Sequence, residues 1–467
     1  MGTLTALLDL SQNSLEANQA AIDITSNNVA NANTPGYTDE VATWQENDTV
    51  SLSGAGLAGE GASVTAVSQR DLVLNQRVQQ QTQLESSSAA ESTALNDLQS
   101  IFGITSSSTS TVSTTIGTDM NSLFSSLSSL EASPSDSSVR QGVLNAASTL
   151  ASDFNAASSQ ISEQTSALNQ QVSGVVSQVN ALTSSIASLN QQIESTSPNA
   201  DAGTLEDQRQ QDLTQLSQYI GFDQIKTENN GLTLTTANGA VLVSEGNSYA
   251  LTTGVVNGNT DVIAASGQDI TSLIAGGSLG GMIEARDQDL PQASSALDAL
   301  AYAIGNAVNT QNEAGLDANG NAGGAIFTLP SSSSGAASTI SLATSDPNAI
   351  AAASISEGAS GGSNATLLSG IANQSIVNGQ TAAEYYASFL TELGSTASRV
   401  SGENTTQQAS LTQLTTQQSS ASSVSLDQEA ANLTQYERSY DAAAKVFTIV
   451  DELMASALNL GVEATVT

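Results

Sequence analysis

The sequence predicts a mainly α-helical protein with a small β part, and three observations support this fold class. Apolar residues recur at heptad spacing near the start of the chain, in its middle and near its end, as in helices that pack against other helices. One stretch, residues 221–275, changes to the alternating pattern of strands. Aromatic residues make up only 3% of the 467 residues, so Ala, Leu, Val and Ile must build the cores.

The first predicted helix has a heptad seam, meaning a line of apolar residues seven positions apart. Its members are Leu8, Leu15, Ile22 and Val29. The segment SNNVANANTPGY, residues 26–37, is expected to end this helix, because asparagine is a poor helix former and Pro35-Gly36 is a strong breaker. Taken alone, this segment is equally consistent with an ordinary helix stop.

The middle of the chain contains the longest periodic pattern. Apolar residues alternate in steps of three and four from Val143 to Ile193, including Val175 and Leu182, and predict one continuous helix of roughly 75 Å within a long-helix bundle. In the β stretch that follows, Asn238-Gly239 predicts a hairpin turn in a small antiparallel unit. Helical patterns return after Pro291 and over residues 381–420.

The final helix carries a second heptad seam. Leu426, Leu433, Tyr440, Phe447 and Met454 are seven apart, and Tyr436, Ala443, Val450 and Ala457 lie between them. Neither terminal seam has a partner close in sequence. We therefore expect the two terminal helices to pack against each other and against copies from neighbouring subunits, and these two kinds of burial are compatible.

These patterns divide the chain into three predicted parts. The terminal helical domain is discontinuous and combines residues 1–45 with 421–467. A helical domain with short strands and loops combines residues 46–220 with 276–420, and residues 221–275 form the small β unit.

Composition excludes several classes of function. The formal net charge is -36, with 9 basic against 45 acidic residues, so nucleic acid and anionic membranes are not expected partners. Cysteine and histidine are both absent, which excludes thiol nucleophiles, Ser-His-Asp triads and cysteine-type zinc sites. No apolar run is long enough to span a bilayer, and the first residues do not have the pattern of a secretory signal.

Two glycine-containing motifs do not support a metal or phosphate site. DANGN, residues 317–321, begins like a calcium loop, but Ala322 and Thr328 stand where an EF-hand requires glycine and glutamate. GGSLGG, residues 276–281, lacks the Lys-Ser/Thr of a phosphate loop. We therefore expect a glycine-rich turn at DANGN, and no catalytic, cofactor or metal site in the chain.

Both ends of the chain resemble the axial proteins of the bacterial flagellum. The stretch SNNVANANTPGYTDE is similar to the end of the first helix in the rod, hook and junction families, and residues 422–461 are similar to their C-terminal tail. The middle distinguishes among these families. LEDQRQQDLTQLSQYIGFD (205–223), residues 276–309 and GLDANGNAGGAIF (315–327) resemble the family of hook-associated protein 1, the first of two proteins that join hook to filament.

This resemblance implies a structural, non-enzymatic subunit that joins the flagellar hook to the filament by helical self-assembly, with the terminal helices in an inner-tube coiled coil. The implied partners are copies of the chain in a helical ring, the hook protein and the second hook–filament junction protein. It also implies a cytoplasmic export chaperone on the C-terminal helix, and type III export without a cleaved signal to an extracellular position at the junction.

We expect subunit contacts at the two seams and at the amide segment. The set is Leu8, Leu15, Ile22, Asn27, Asn28, Val29, Asn31, Asn33, Pro35, Gly36, Tyr37, Leu426, Leu433, Tyr436, Tyr440, Phe447, Val450 and Met454. Asparagine both donates and accepts hydrogen bonds, so the four asparagines can satisfy the last helix carbonyls and adjacent subunits together. Pro35 and Gly36 would then redirect the chain outward.

Three alternative functions are less consistent with the sequence. A hook or distal rod protein is mostly β between its ends, whereas residues 143–193 here predict a long helix. A Ser/Thr-rich extracellular adhesin would carry a cleaved signal or a membrane anchor. A hydrolase using two carboxylates is third, because no spacing singles out one pair among the 45 acids.

Overall fold

The computed structural model describes residues 2–34, 36–47, 49–52, 56–59, 61–104, 115–197, 201–256 and 258–463. Helix makes up 67% and strand 12%, which confirms the predicted fold class. In chain order the helices are α1 Gly2–Asn31, α2 Leu72–Ile101, α3 Thr115–Ala132, α4 Ser137–Thr196, α5 Thr204–Tyr219, α6 Gly277–Glu284, α7 Leu290–Glu313, α8 Ala336–Thr339, α9 Ser363–Gly370, α10 Ala382–Ser422 and α11 Leu426–Glu463.

The strands are short and form small antiparallel sheets. They are β1 Glu40–Glu46, β2 Thr49–Leu52, β3 Gly56–Gly59, β4 Ala62–Ser68, β5 Asp223–Lys226, β6 Leu232–Thr235, β7 Val241–Ser244, β8 Asn247–Ser248, β9 Thr252–Val256, β10 Asn259–Ile263, β11 Gly315–Leu316, β12 Phe327–Thr328, β13 Ser341–Leu342 and β14 Ala353–Ser354. Strands β5 to β8 form one four-stranded sheet in sequence order, and the others pair as β1-β4, β2-β3, β9-β10, β11-β14 and β12-β13.

Helix α4 is the long helix predicted from the middle seam, and its 60 residues span about 90 Å. Most of the predicted positions are buried, but Val175 and Leu182 are only half-buried, and Val176 and Thr183 take their places. The reason is geometric. An α-helix has 3.6 residues per turn, so a line of apolar residues spaced on average 3.5 apart drifts around a straight helix.

Two hydrophobic cores lie along α4. The first joins the N-terminal half of α4 to α2, α3, α7 and α10, and includes the rings of Phe102 and Phe389, whose centroids are 4.9 Å apart. The second joins its C-terminal half, from Val172 onward, to α5, α6 and the four-stranded sheet. The long helix therefore connects two packed regions.

The β-rich stretch contains the predicted hairpin turn. Between β6 and β7, Thr236 and Ala240 are joined by a backbone hydrogen bond of 2.8 Å, and Gly239 adopts φ +85°, which favours glycine. Leu234 and Val243 of this sheet belong to the same core as α4. The domain boundaries at residues 221 and 275 stay a prediction.

The DANGN segment forms a turn around its first side chain. The Asp317 carboxylate accepts backbone hydrogen bonds from Asn319 and Asn321, both at 2.8 Å, and Gly320 has φ +82°. These hydrogen bonds lower the pKa of Asp317 against the opposing effect of burial. The expected glycine-rich turn is confirmed.

Strands β1 and β4 form a ribbon that packs along α1. The ribbon leads directly into α2, whose first turn is capped by the Asp71 carboxylate accepting the backbone N–H groups of Val73 and Leu74. Helix α1, helix α11 and this ribbon therefore form one terminal unit, which is joined to the rest of the chain near Arg70.

Candidate assembly interface at the terminal helices

Helices α1 and α11 pack side by side and run antiparallel. The Asn28 amide, near the C-terminal end of α1, donates a 3.2 Å hydrogen bond to the Glu429 carboxylate, near the N-terminal end of α11. The two ends of the sequence are therefore brought together as a helical pair, as the heptad patterns predicted.

The predicted seam of α11 forms the side of this helix that is most buried. Val450 and Ala443 are buried, and Leu433, Tyr436, Tyr440, Phe447 and Met454 are half-buried. Leu426, at the first position of the helix, is 53% exposed. The contact with α1 thus covers this seam only in part, and each large side chain on it keeps accessible surface.

Helix α1 buries a different face from the one that its heptad seam suggests. Its most buried side chains are small or polar: Ser11, Ala17, Asn18, Ala21, Thr25 and Asn28, together with Ile24. Ser11 and Asn18 donate hydrogen bonds to the carbonyls of Leu8 and Ser14 in their own helix, which removes the penalty of burying them.

The apolar seam of α1 lies on the flank of the helix. Leu8, Leu15 and Ile22 are half-buried, and Val29 is 44% exposed. Small side chains allow α1 to approach its neighbours closely, and this leaves the larger apolar side chains at the edge of the pair.

Asn28 is the centre of the amide segment. Its Nδ2 donates to the Glu40 carbonyl at 2.7 Å and to Glu429, and its Oδ1 accepts from the Tyr37 hydroxyl at 2.8 Å and the Glu40 N–H at 3.1 Å. The side chain is 1% exposed. One chain therefore already fills the hydrogen-bonding capacity of the Asn28 side chain, and a contact of Asn28 with an adjacent subunit stays a prediction.

The other asparagines lie closer to solvent. Helix α1 continues to Asn31, so Asn27, Asn28 and Asn31 belong to its last turns. The Asn31 amide donates to the Asn27 carbonyl at 3.0 Å, and Asn27 and Asn33 are exposed. Gly36 is exposed with φ +82°, a conformation that favours glycine, and Pro35 lies outside the described residues. For these residues, contact with a neighbouring subunit stays a prediction.

A buried ion network joins the terminal unit to α5, and the sequence patterns did not reveal it. The Arg70 guanidinium contacts Glu206 and lies 2.8 Å from Asp207 and 3.8 Å from Asp201. The Asp207 carboxylate also accepts the Thr38 N–H at 3.0 Å and its hydroxyl at 2.8 Å. One sequence signal was available: Arg70 is the first basic residue of the chain.

The pKa values around this network follow from burial and hydrogen bonding. Against the opposing effect of burial, hydrogen bonds from Ser68 and Gly203 hold the pKa of Asp201 below its ordinary value. Burial, and then the charge of Asp201, raise the pKa of Glu40. Burial also raises the pKa of Tyr37, so its hydroxyl keeps the proton that it donates to Asn28.

The only tryptophan of the chain connects the ribbon to α11. The Trp44 ring on β1 lies 6.2 Å from the ring of Tyr436, with the planes tilted by 46°. Trp44 is 44% exposed, so part of its ring remains available to solvent or to another chain. Its position makes it a spectroscopic reporter of the terminal unit.

Within the described residues, no helix combines the length and the apolar character needed to cross a bilayer. The same part of the chain brings together no three His, Cys, Asp or Glu side chains in an arrangement that could hold a metal ion.

Comparison with known proteins gives three family matches in chain order. Residues 8–38 match the flagella basal body rod protein model, and residues 416–460 match the flagellar basal body rod FlgEFG protein C-terminal model. Between them, residues 103–327 match the model of the flagellar hook-associated protein FlgK helical domain. The first and last matches cover most of α1 and α11, and the middle match includes the whole of α4.

Individual relatives give the same assignment. The flagellar hook-associated protein 1 of Bacillus subtilis is 29% identical over 97% of both chains. The proteins of that name from Escherichia coli and Salmonella typhimurium are 27% and 26% identical over 70% of this chain, and these matches span 60% of the relatives' own length.

A solved structure has the same fold. The hook junction protein FlgK from Burkholderia pseudomallei is 21% identical, with a TM-score of 0.67, and the match covers 75% of this chain and all of that one. The chain therefore combines ends similar to rod proteins, a middle that matches the FlgK helical domain, and a relative matched over 97% of both lengths, so it is similar over nearly its whole length to flagellar hook-associated protein 1.

Proposed function

We propose that this chain is a structural subunit of the bacterial flagellum that joins the hook to the filament. It acts by helical self-assembly and carries out no chemical reaction. The observation that carries the proposal is the pairing of α1 and α11, the two segments similar to rod proteins, at one end of a helical body of the hook-associated type.

The terminal pair has the incomplete burial that a subunit of a larger assembly needs. Eight of its large apolar side chains are 37–56% exposed: Leu7, Leu10, Val29, Leu426, Val446, Ile449, Leu453 and Leu458. Completing their burial would contribute about 1 kcal/mol each, or roughly 8 kcal/mol before the cost of association. That gain is available only where other subunits cover both helices.

Four kinds of partner follow from this role. Copies of the chain would surround the terminal pair in a helical ring, with the hook protein on one side and the second hook–filament junction protein on the other. Before assembly, a cytoplasmic export chaperone would cover the exposed apolar side chains of α11. Export would follow the flagellar type III route without a cleaved signal.

The rival assignment is a hook or distal rod protein, because the matches at both ends carry rod-protein names. The 60-residue helix α4 and its match to a hook-associated helical domain favour the junction role instead.

Gene disruption followed by immunogold labelling tests the proposal. Cells without this chain should build hooks, lack filaments and release filament protein into the medium. Antibody against the chain should label the boundary between hook and filament on isolated wild-type structures. Labelling along the whole hook, or normal filaments without the chain, would contradict the junction role.

A further inference from the structure

A cavity of about 200 Å³ lies between α7 and α10 in the helical body, away from the terminal helices. Its floor is apolar and buried, and consists of Leu95 from α2, Ala293 from α7 and Leu393 from α10. The half-buried ring of Phe389 forms one wall, and the ring of Phe102 holds it in place with a centroid distance of 4.9 Å. A cavity of this size can hold a small organic molecule, since one of about 150 Å³ binds benzene.

The rim of the cavity carries two carboxylates. Asp289 stands immediately before α7, and Glu392 lies on α10. The Gln292 amide donates a 2.9 Å hydrogen bond from α7 to Glu392. The Oδ2 atom of Asp289 is buried, and no described residue donates a hydrogen bond to it. One carboxylate therefore has a neutral partner, and the other has a buried oxygen without a donor.

The charges around this cavity are predominantly negative. No lysine or arginine lines it. Burial, and then the charge of Glu284, raise the pKa of Asp289 to about 6, although Arg399 opposes this rise. Arg399 is shared with other acids, because its guanidinium lies 4.0 Å from Glu91 and 3.6 Å from Glu403. This one base lies among five carboxylates: Glu91, Glu284, Asp289, Glu392 and Glu403.

We propose that this cavity binds an alkylammonium ion, with the ammonium group beside the Asp289 and Glu392 carboxylates and the carbon chain against the apolar floor and the Phe389 ring. An ammonium group brings positive charge and N–H donors to two carboxylates, and its chain buries apolar surface. A metal ion suits the site less well, because the floor offers no oxygen ligands and the described residues bring no three acids together to hold one. The inference goes beyond the junction role and does not depend on it.

Isothermal titration calorimetry of the purified chain with n-butylamine at pH 7.5 tests the proposal. We expect saturable binding to one site. Butan-1-ol has the same carbon chain with a hydroxyl in place of the ammonium group, and it should bind about tenfold more weakly or worse. Equal affinity for the two probes, or no saturable binding of n-butylamine, would overturn the proposal.

Two substitutions test the carboxylate and the apolar space separately. Asp289→Asn removes the charge at nearly constant size and should weaken n-butylamine binding about tenfold. Ala296→Leu, at a half-buried position in the wall, fills the cavity without changing charge and should abolish binding. Glu313→Gln, at an exposed site near the end of α7, is the matched control and should bind like wild type.

Circular dichroism establishes that each variant is folded before it is titrated. If Asp289→Asn does not fold, Ala296→Leu decides the question alone. Wild-type affinity in a folded Ala296→Leu chain would overturn the site, and wild-type affinity in folded Asp289→Asn would overturn the role of the carboxylate.

The pH dependence of binding gives an independent readout. n-Butylamine keeps its charge from pH 7.5 to 5, as a lysine does, whereas Asp289 and Glu91, whose pKa values are raised to about 6 and about 7, become protonated. Tyr385 also lines the cavity and stays neutral, because burial and the charge of Glu392 raise its pKa. Binding should therefore weaken at pH 5, and unchanged affinity would contradict the proposal.

An alkylammonium group occurs both in free amines and in lysine side chains of proteins. Titration with Nα-acetyl-lysine methylamide distinguishes these sources. Affinity at least equal to that of n-butylamine would assign the cavity to a lysine side chain of another protein, whereas much weaker binding would assign it to free amines. If neither probe binds, the proposal fails and the junction role is unaffected.

Discussion

Replacing Asn28 with alanine tests the hydrogen-bonded centre of the terminal unit. The side chain is 1% exposed and forms four hydrogen bonds to three residues: Glu429 in α11, the backbone of Glu40 in β1, and the Tyr37 hydroxyl in the segment between α1 and β1. Alanine fits the helix but can replace none of these bonds. The substitution therefore removes the polar link among α1, the ribbon and α11 while leaving the apolar contacts in place.

The expected cost follows from the groups that lose their partner. Glu429 is 4% exposed and loses a donor to its carboxylate, whereas Glu40 and Tyr37 are half-buried and water can replace part of what they lose. Unsatisfied buried groups cost about 1–3 kcal/mol each, so we expect a loss of about 2–4 kcal/mol. The higher helix propensity of alanine returns less than about 0.7 kcal/mol.

Trp44 makes the measurement local. Its ring lies 6.2 Å from Tyr436, and it is the only tryptophan, so its fluorescence in urea reports opening of the terminal unit. Asn28→Ala should lower the midpoint of this transition by about 1–2 M urea, while circular dichroism of the helical body stays unchanged. The neighbouring Asn27→Ala is the matched control, because Asn27 is exposed. Equal midpoints for Asn28→Ala and wild type would refute the reasoning.

Three further predictions use other parts of the structure. Phe447→Asp puts a charge on the half-buried seam of α11 and should abolish motility while the helical body stays folded. The control Thr448→Asp, at an exposed site, should leave motility unchanged. Motile Phe447→Asp cells would show that this seam is no interface. Arg70→Gln leaves Asp201, Glu206 and Asp207 without their cation and should lower the free energy of unfolding by about 3 kcal/mol or more. Urea unfolding measures this loss against the control Arg77→Gln, whose side chain is exposed. Equal stabilities of the two variants would contradict the prediction. Burial, and then repulsion from Asp289, raise the pKa of Glu91 to about 7, so folding favours the protonated form of this side chain. The folded state therefore loses stability as the pH rises from the ordinary pKa of a glutamate towards about 7. Glu91→Gln should therefore be more stable than wild type at pH 8 and show a flatter pH dependence than the exposed control Glu313→Gln in urea titrations from pH 5 to 8.

Long, regular elements could be predicted from the sequence because one repeating pattern specifies each of them. The apolar positions of α4 and the Asn238-Gly239 turn depend mainly on local spacing and backbone preference. The drift from Val175 to Val176 and from Leu182 to Thr183 is also local, but it requires the true helical period of 3.6 residues.

The contacts of α1 could not be predicted in the same way. Heptad reasoning selects large apolar side chains, whereas the ribbon and α11 cover a face with Ser11, Asn18 and Thr25. Such a face is inexpensive to bury only because Ser11 and Asn18 bond to their own helix, which an apolar pattern does not record.

Long-range polar contacts were the least predictable part of the candidate site. Asn28 and Glu429 are separated by 401 positions, and Arg70 meets Asp207 across 137. Only the fold brings these groups together. The absence of bases before Arg70 was visible in the sequence, but its three carboxylate partners were not.

Hydrogen exchange of the terminal helices in two states tests the central claim that α1 and α11 are the assembly element. Amide exchange is measured by mass spectrometry for the purified monomer and for the same chain in isolated hook–filament structures. We expect α1 and α11 to exchange faster than α4 in the monomer and to become strongly protected in the assembly, because neighbouring subunits complete their burial. Helix α4 should be equally protected in both states. Equal protection of α1 and α11 in the monomer and in the assembly would contradict the claim.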